Sequence, residues 1–84
     1  MIYTVGWKKP ARDALADIWL NAPDRGAVSA AANEIDRELR TDAHRKGVVS
    51  RRGRRIFGIA PLTVIFRVDP GDCTVIVLKV RRTK

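Results

Sequence analysis

The residues best suited to chemistry in this sequence are guanidinium groups. Four lie in Arg51-Arg52-Gly53-Arg54-Arg55, with Lys46 just upstream, and two more close the chain's apolar part as Arg81-Arg82. An arginine fork gives paired, charge-assisted hydrogen bonds that match phosphate oxygens. Lys46, Arg51, Arg52, Arg54, Arg55, Arg81 and Arg82 are therefore the candidate RNA- and phosphate-binding residues. In an antiparallel sheet the start of one strand lies near the end of another, so the two groups could form one patch. The alternative is two independent solvated runs.

Other chemistry is thinly represented. There is no Gly-rich phosphate loop, no nucleophile elbow and no evident acid–base pair of carboxylates. His44, the only histidine, could move a proton, although a lone histidine in a polar loop is more often a surface residue. Cys73, the only cysteine, opens a strand after a turn and reads as structural; one cysteine permits no internal disulfide. One Cys and one His fall short of a zinc cage, so neither a metal nor a cofactor is expected. Tyr3, Trp7, Trp19, Phe57 and Phe66 mostly fall on faces that read as buried, which suits a core better than a base-stacking platform.

The charge is one-sided. Residues 1–42 hold six basic and seven acidic groups, whereas residues 43–84 hold eleven basic groups against Asp69 and Asp72 alone. The resulting field attracts polyanions or an acidic protein, unless it serves only to keep the surface solvated. The 84 residues suit one domain spanning 1–84, with 45% hydrophobic and 31% charged side chains, a globular balance. No apolar run approaches a membrane span, the N-terminus lacks the order of a signal peptide, and the cysteine content fits a reducing cytosol. A cytoplasmic protein without a membrane partner is expected.

These groups must be positioned by the elements around them. Ile2 to Trp7 is rich in β-formers and reads as a strand. Ala11, Ala14, Leu15, Ile18, Trp19 and Ala22 have helical spacing, and Pro10 suits a first turn. Asn21-Ala22-Pro23-Asp24 breaks this helix. Val28, Ala31, Ala32, Ile35 and Leu39 mark a second, from about Arg25 to Arg40, which should pack on the first as a hairpin. Residues 41–47 read as a polar loop, Val48 to Arg52 as extended, and Gly53 as a bulge or kink. Strands follow at Arg54–Ala60, Leu62–Val68 and Cys73–Val80, separated by Pro61 and by Asp69-Pro70-Gly71-Asp72, with a basic tail after them. The fold class is α+β: an N-terminal strand, a helical hairpin, then a three-stranded antiparallel meander (β-α-α-β-β-β).

Five segments in this order carry a resemblance: Ala14-Leu15-Ala16-Asp17-Ile18-Trp19, Asp24-Arg25-Gly26-Ala27-Val28, Glu34-Ile35-Asp36-Arg37-Glu38-Leu39, residues 61–68, and residues 75–82. Together with Arg54-Arg55-Ile56, they make nearly the whole chain similar to the RelE/ParE superfamily, the toxins of bacterial type II toxin–antitoxin pairs. The resemblance implies a cognate acidic antitoxin as partner and one of two activities. RelE-like members cut messenger RNA, usually on the ribosome, by driving the RNA's own 2′-hydroxyl onto the adjacent phosphate. ParE-like members bind and poison DNA gyrase without hydrolysis. The excess positive charge makes ribosome-dependent endoribonuclease activity the first expectation. Gyrase inhibition, or a plain basic RNA- or ribosome-binding module, is the alternative. The RelE pattern places basic residues at the entry to the second strand, where Lys46, Arg51, Arg52, Arg54 and Arg55 lie. Its arginine after the last strand can be matched by Arg82. Arg55, Arg82 and His44 are the candidate catalytic residues. Thr63 stands where the RelE pattern has a further arginine, and the tyrosine that often follows the last arginine has no counterpart here.

Overall fold

The computed structural model describes residues 2–83. Its order is β1 (Thr4–Trp7), α1 (Lys9–Asn21), α2 (Arg25–Asp42), β2 (Val48–Val49), β3 (Arg55–Ile59), β4 (Leu62–Asp69) and β5 (Thr74–Arg82). The strands form one sheet in the order β1-β5-β4-β3-β2. The meander β3-β4-β5 is antiparallel as expected, and β1 returns parallel to β5, with Thr4 opposite Thr74 and Trp7 opposite Val77. The sheet is thus mixed, because the helical hairpin carries the chain over it before the meander begins.

Both helices lie on one face. Val28, Ala31, Ile35 and Leu39 of α2 are buried, and Leu62, Val64, Phe66, Val75, Val77 and Val80 meet them from the sheet. The alternation along β4 is regular: Leu62, Val64 and Phe66 are fully covered, while Thr63 and Ile65 between them are only half-buried. Each fully buried Leu, Phe or Val contributes about 1.5–3 kcal/mol of apolar transfer energy before chain entropy is counted. That one-sided layer is the physical basis of the fold, and it leaves the opposite sheet face open.

The helices end where backbone groups find other partners. Arg25 closes α1 by donating to the Trp19 and Leu20 carbonyls at 3.1 and 2.8 Å, with its guanidinium 4.8 Å from the Trp19 ring centroid. Residues 41–42, expected in a loop, continue α2, and a 3-10 turn follows at Ala43–Arg45. Ala43 is fully buried and extends the stripe of Ile35 and Leu39, so packing prolongs the helix where local polarity argued for a loop. Two ends of α2 are tied to the sheet: Tyr3 N–H donates to the Arg40 carbonyl at 2.6 Å, and Arg82 pairs with Asp24. Helix α2 therefore runs antiparallel to β1 and β5.

The stretch expected to be extended from Val48 to Arg52 is a short edge strand followed by a tight turn. Arg52 and Gly53 both take positive φ there, 58° and 73°. Gly53 serves the turn and makes no bulge. The bulge lies elsewhere: Ile65 pairs with Lys79 and Phe66 with Val77, so Leu78 is an extra residue in β5. Strand β5 also continues to Arg82, so Arg81 and Arg82 belong to the sheet and not to a tail.

Candidate functional site: the open face of the sheet

The bulge at Leu78 decides which cations face the solvent side. Val75 and Val77 point to the helices, and strict alternation would send Lys79 and Arg81 the same way. The extra residue reverses the phase. Val80, opposite Val64, turns inward, and Lys79 and Arg81, opposite Ile65 and Thr63, turn to the open face. Arg82, opposite Leu62, turns to the helix side, where its guanidinium meets Asp24 Oδ2 at 2.9 Å.

The open face can be laid out from the pairing register. One row across the strands is Val48, Ile56, Ile65 and Lys79. On one side of it lie Gly58, Thr63 and Arg81; on the other lie Arg67 and Ile76. One step beyond the last β3–β4 pair, the same alternation places Arg54 beside Arg67. Ile56, Thr63, Ile65, Lys79, Val80 and Arg81 line a depression of about 370 Å³. The Thr63 hydroxyl is hydrogen-bonded to the Thr83 hydroxyl, and Thr83 N–H donates to the Pro61 carbonyl at 2.7 Å, so the rim beside Arg81 is held by the backbone. Lys79, Arg81 and Arg67 are exposed and, among the described residues, have no carboxylate partner.

The sequence-predicted residues are distributed differently from expectation. Arg81 is on the open face. Arg51, Arg52 and Arg54 lie at the β2–β3 turn. Lys46 is engaged elsewhere: its ammonium lies 2.6 Å from Glu38 Oε1, and that hydrogen bond raises its pKa. Arg55 faces the helix side and donates to the Lys46 carbonyl at 3.3 Å. Arg54 and Arg81, one from each basic run, both fall on the open face, level with Arg67 and Thr63, so the runs share a face but stand about 13 Å apart. Arg55 is level with Phe66 and Arg82 with Leu62, four residues along β4, or about 13 Å. His44 is hydrogen-bonded through Nδ1 to the Tyr3 hydroxyl at 3.1 Å. Tyr3 precedes Thr4, which pairs with Thr74, so His44 sits at the end of β5 remote from Arg82, roughly 26 Å away along the strand. Of the three residues assigned catalytic roles, Arg82 thus stands apart from both others, while Arg55 is bonded to the carbonyl two residues on from His44. Those missed are Lys79, Arg67, Ile56 and Ile65; the near-continuous apolar runs did not say which face either isoleucine takes, and no sequence signal announced the bulge.

A second concave surface lies on the other side. Helices α1 and α2 and Trp7 bound an apolar groove of about 710 Å³, lined by Leu15, Trp19, Leu20, Val28 and Ala32, with Arg12 and Asp36 at its margin. Trp19 and Leu20 are 39% and 58% exposed, which is unusual for side chains this large. Trp19 Nε1 donates to Ser29 Oγ at 3.0 Å across the groove. Among the described residues there is no cluster of His, Cys, Asp and Glu able to hold a metal ion, and no helix long and apolar enough to cross a membrane.

The fold is shared with solved toxin–antitoxin proteins. A chain of the RelBE2 toxin–antitoxin complex from Mycobacterium tuberculosis superposes with a TM-score of 0.80 at 25% identity, covering 98% of this chain and 92% of that one. The chain has the RelE/ParE toxin fold. A chain of the chromosomal ParDE system from Pseudomonas aeruginosa gives a TM-score of 0.76 at 18% identity, over 99% of this chain and 98% of that one. The isolated Escherichia coli RelE toxin gives 0.55 at 13% identity, over 98% and 85%. No family model matches the sequence, and no curated protein does. The shared RelE/ParE fold accounts for the helical hairpin on a sheet; it leaves the activity to be argued from the residues of the open face.

Proposed function

We propose that this chain is the toxin of a type II toxin–antitoxin pair and that it acts by gripping its target with the open sheet face, without hydrolysis. The observation that supports a non-hydrolytic toxin is the composition of that face. It has cations at Arg67, Lys79 and Arg81, yet the described residues place no histidine, tyrosine or glutamate there, and its one carboxylate, Asp69, stands at the last pair of β4, six residues or about 20 Å from Thr63 and Arg81, where it accepts from Asp72 N–H. Cleavage by the 2′-hydroxyl needs a base for that hydroxyl and a proton for the leaving oxygen. Arginine stays protonated and supplies neither role, and Lys79, the one amine on the face, has an isoleucine opposite it and no titratable partner there to fill the second role. His44 and Tyr3, the residues able to substitute, are bonded to each other near the helix side. This shifts the balance from the ribonuclease reading, first suggested by charge, to the gyrase-inhibitor reading that the ParE side of the resemblance implies.

The antitoxin fits the apolar groove between α1 and α2. Its exposed Trp19 and Leu20 suit the apolar face of an amphipathic segment, and the net charge of +8 favours an acidic one. The test is cell-free translation with the purified protein, read by primer extension, beside a DNA gyrase supercoiling assay. Intact message with inhibited supercoiling is expected. Cuts that appear only on translating ribosomes would refute the reading and restore the nuclease.

A further inference from the structure

The open face has an arrangement more specific than positive charge. Val48, Ile56 and Ile65 form a continuous apolar row across β2, β3 and β4, with Val48 73% and Ile56 37% exposed. Cations stand on both sides of this row. Arg81 lies at the Thr63 end and Arg67 at the other, while Lys79 continues the row itself on β5, opposite Ile65. Thr63 and Arg67 are four residues apart on β4, so the two cationic margins are about 13 Å apart.

A nucleic-acid strand presents phosphates at short, even intervals and bases that stack on aromatic rings. This face interrupts its cations with branched aliphatic side chains. Its aromatics lie elsewhere: Tyr3 and Phe66 are buried in the core and Trp7, Trp19 and Phe57 pack against it or line the helical groove. An apolar centre with a charged rim is instead the anatomy of a protein-binding surface. A second copy of the chain is excluded as the occupant, since it would bring another net charge of +8.

We propose that the open face docks a segment of the toxin's target protein that carries carboxylates on both sides of a short apolar stretch. The inference rests on the non-hydrolytic reading and names the chemistry of its partner. On a strand, carboxylates four residues apart span the margins at about 13 Å. On a helix, carboxylates seven or eight residues apart do so at about 10–12 Å. Ile65 supplies the centre, and Arg67, Lys79 and Arg81 supply the rim.

The discriminating substitution is Ile65→Lys, because it changes the two modes in opposite directions. It adds a cation for phosphates but destroys an apolar centre. Ile56→Lys, at a more exposed position, repeats the test if Ile65→Lys fails to fold, as judged by its thermal midpoint. With DNA gyrase holoenzyme as probe, Ile65→Lys should raise the half-inhibitory concentration at least tenfold despite the added charge. Inhibition equal to or stronger than wild type would overturn the inference while leaving the gyrase reading intact. If wild type leaves gyrase untouched, the gyrase reading fails and the face is tested directly by methyl NMR titration. The probes are a helical peptide with glutamates seven apart flanking leucines, its glutamine counterpart, and an oligouridylate. Shifts of the Ile56 and Ile65 methyls with the glutamate peptide alone support the inference. Shifts with oligouridylate alone overturn it.

Discussion

Replacing Gly47 by alanine should do far more damage than replacing Gly53, although both residues have the same positive φ of 73°. Forcing an L-residue into the left-handed region costs about 1–2 kcal/mol at either site. The surroundings separate them. A Cβ on Gly53 meets nothing within 4 Å, whereas one on Gly47 would overlap the Ile56 carbonyl oxygen and lie 2.9 Å from its carbonyl carbon and 3.2 Å from Phe57 Cβ. The obstacle is backbone, which no rotamer change relieves, and overpacking of this kind adds about 1–3 kcal/mol. The total is about 2–5 kcal/mol for Gly47→Ala and about 1–2 for Gly53→Ala. For a chain of this size 1 kcal/mol moves Tm by about 4–8 °C, so the gap between the variants should be on the order of 10 °C. Calorimetry on the two purified variants and wild type measures it. Because Gly47 leads into β2, the weakened pairing should also free Val48 from Ile56 and raise the half-inhibitory concentration. Equal Tm losses at the two glycines would refute the close approach of Gly47 to β3, and with it the placement of Val48 in the apolar row.

Arg81→Ala is expected to abolish growth arrest with little change in Tm, while Arg82→Ala should lower Tm and spare the arrest; the opposite pattern would return Arg82 to the site. The Arg82 hydrogen bond holds the Asp24 carboxyl below its ordinary pKa of 3.8, so the pair's stabilisation is complete above that value and is lost as pH falls through the lower folded value. The Tm difference between wild type and Arg82→Ala should accordingly be present at pH 7 and shrink below pH 3.8, as a pH series of melting curves will show. His44→Ala removes the partner of the Tyr3 hydroxyl and should cost about 0.5–1.5 kcal/mol in urea denaturation without reducing toxicity. Loss of toxicity with unchanged stability would place His44 in the chemistry after all.

Most acidic residues of the first half are spent locally, Asp24 with its distant partner Arg82 being an exception. Lys9–Asp13, Arg37–Glu34 and Arg40–Asp36 pair within their own helices, and Glu38 takes Lys46. The basic half has few carboxylates in reach, so the one-sided charge read from composition survives as cations exposed on the sheet. Helical spacing at Val28, Ala31, Ile35 and Leu39 was legible for the same reason: one buried stripe on a helix recurs at a fixed interval. The end of α2 was not, because Ala43 is held by burial against strands far away in sequence, and small apolar residues carry little local signal.

What the sequence by itself determined was the order of elements, the class of fold, the buried face of α2 and the excess of positive charge. These depend on periodicity and composition, which are local properties. Trp19, expected on the buried stripe of α1, stands exposed in the groove. Which arginine serves the open face was decided only by tertiary structure. Alternation from Val75 and Val77 would put Arg82 outward and Arg81 inward. One extra residue at Leu78 reverses both, placing Lys79 and Arg81 beside Ile65 and Thr63 and sending Arg82 to Asp24. A bulge is a property of how two strands pair, with two residues opposing one, and β5 expresses it only when β4 lies beside it.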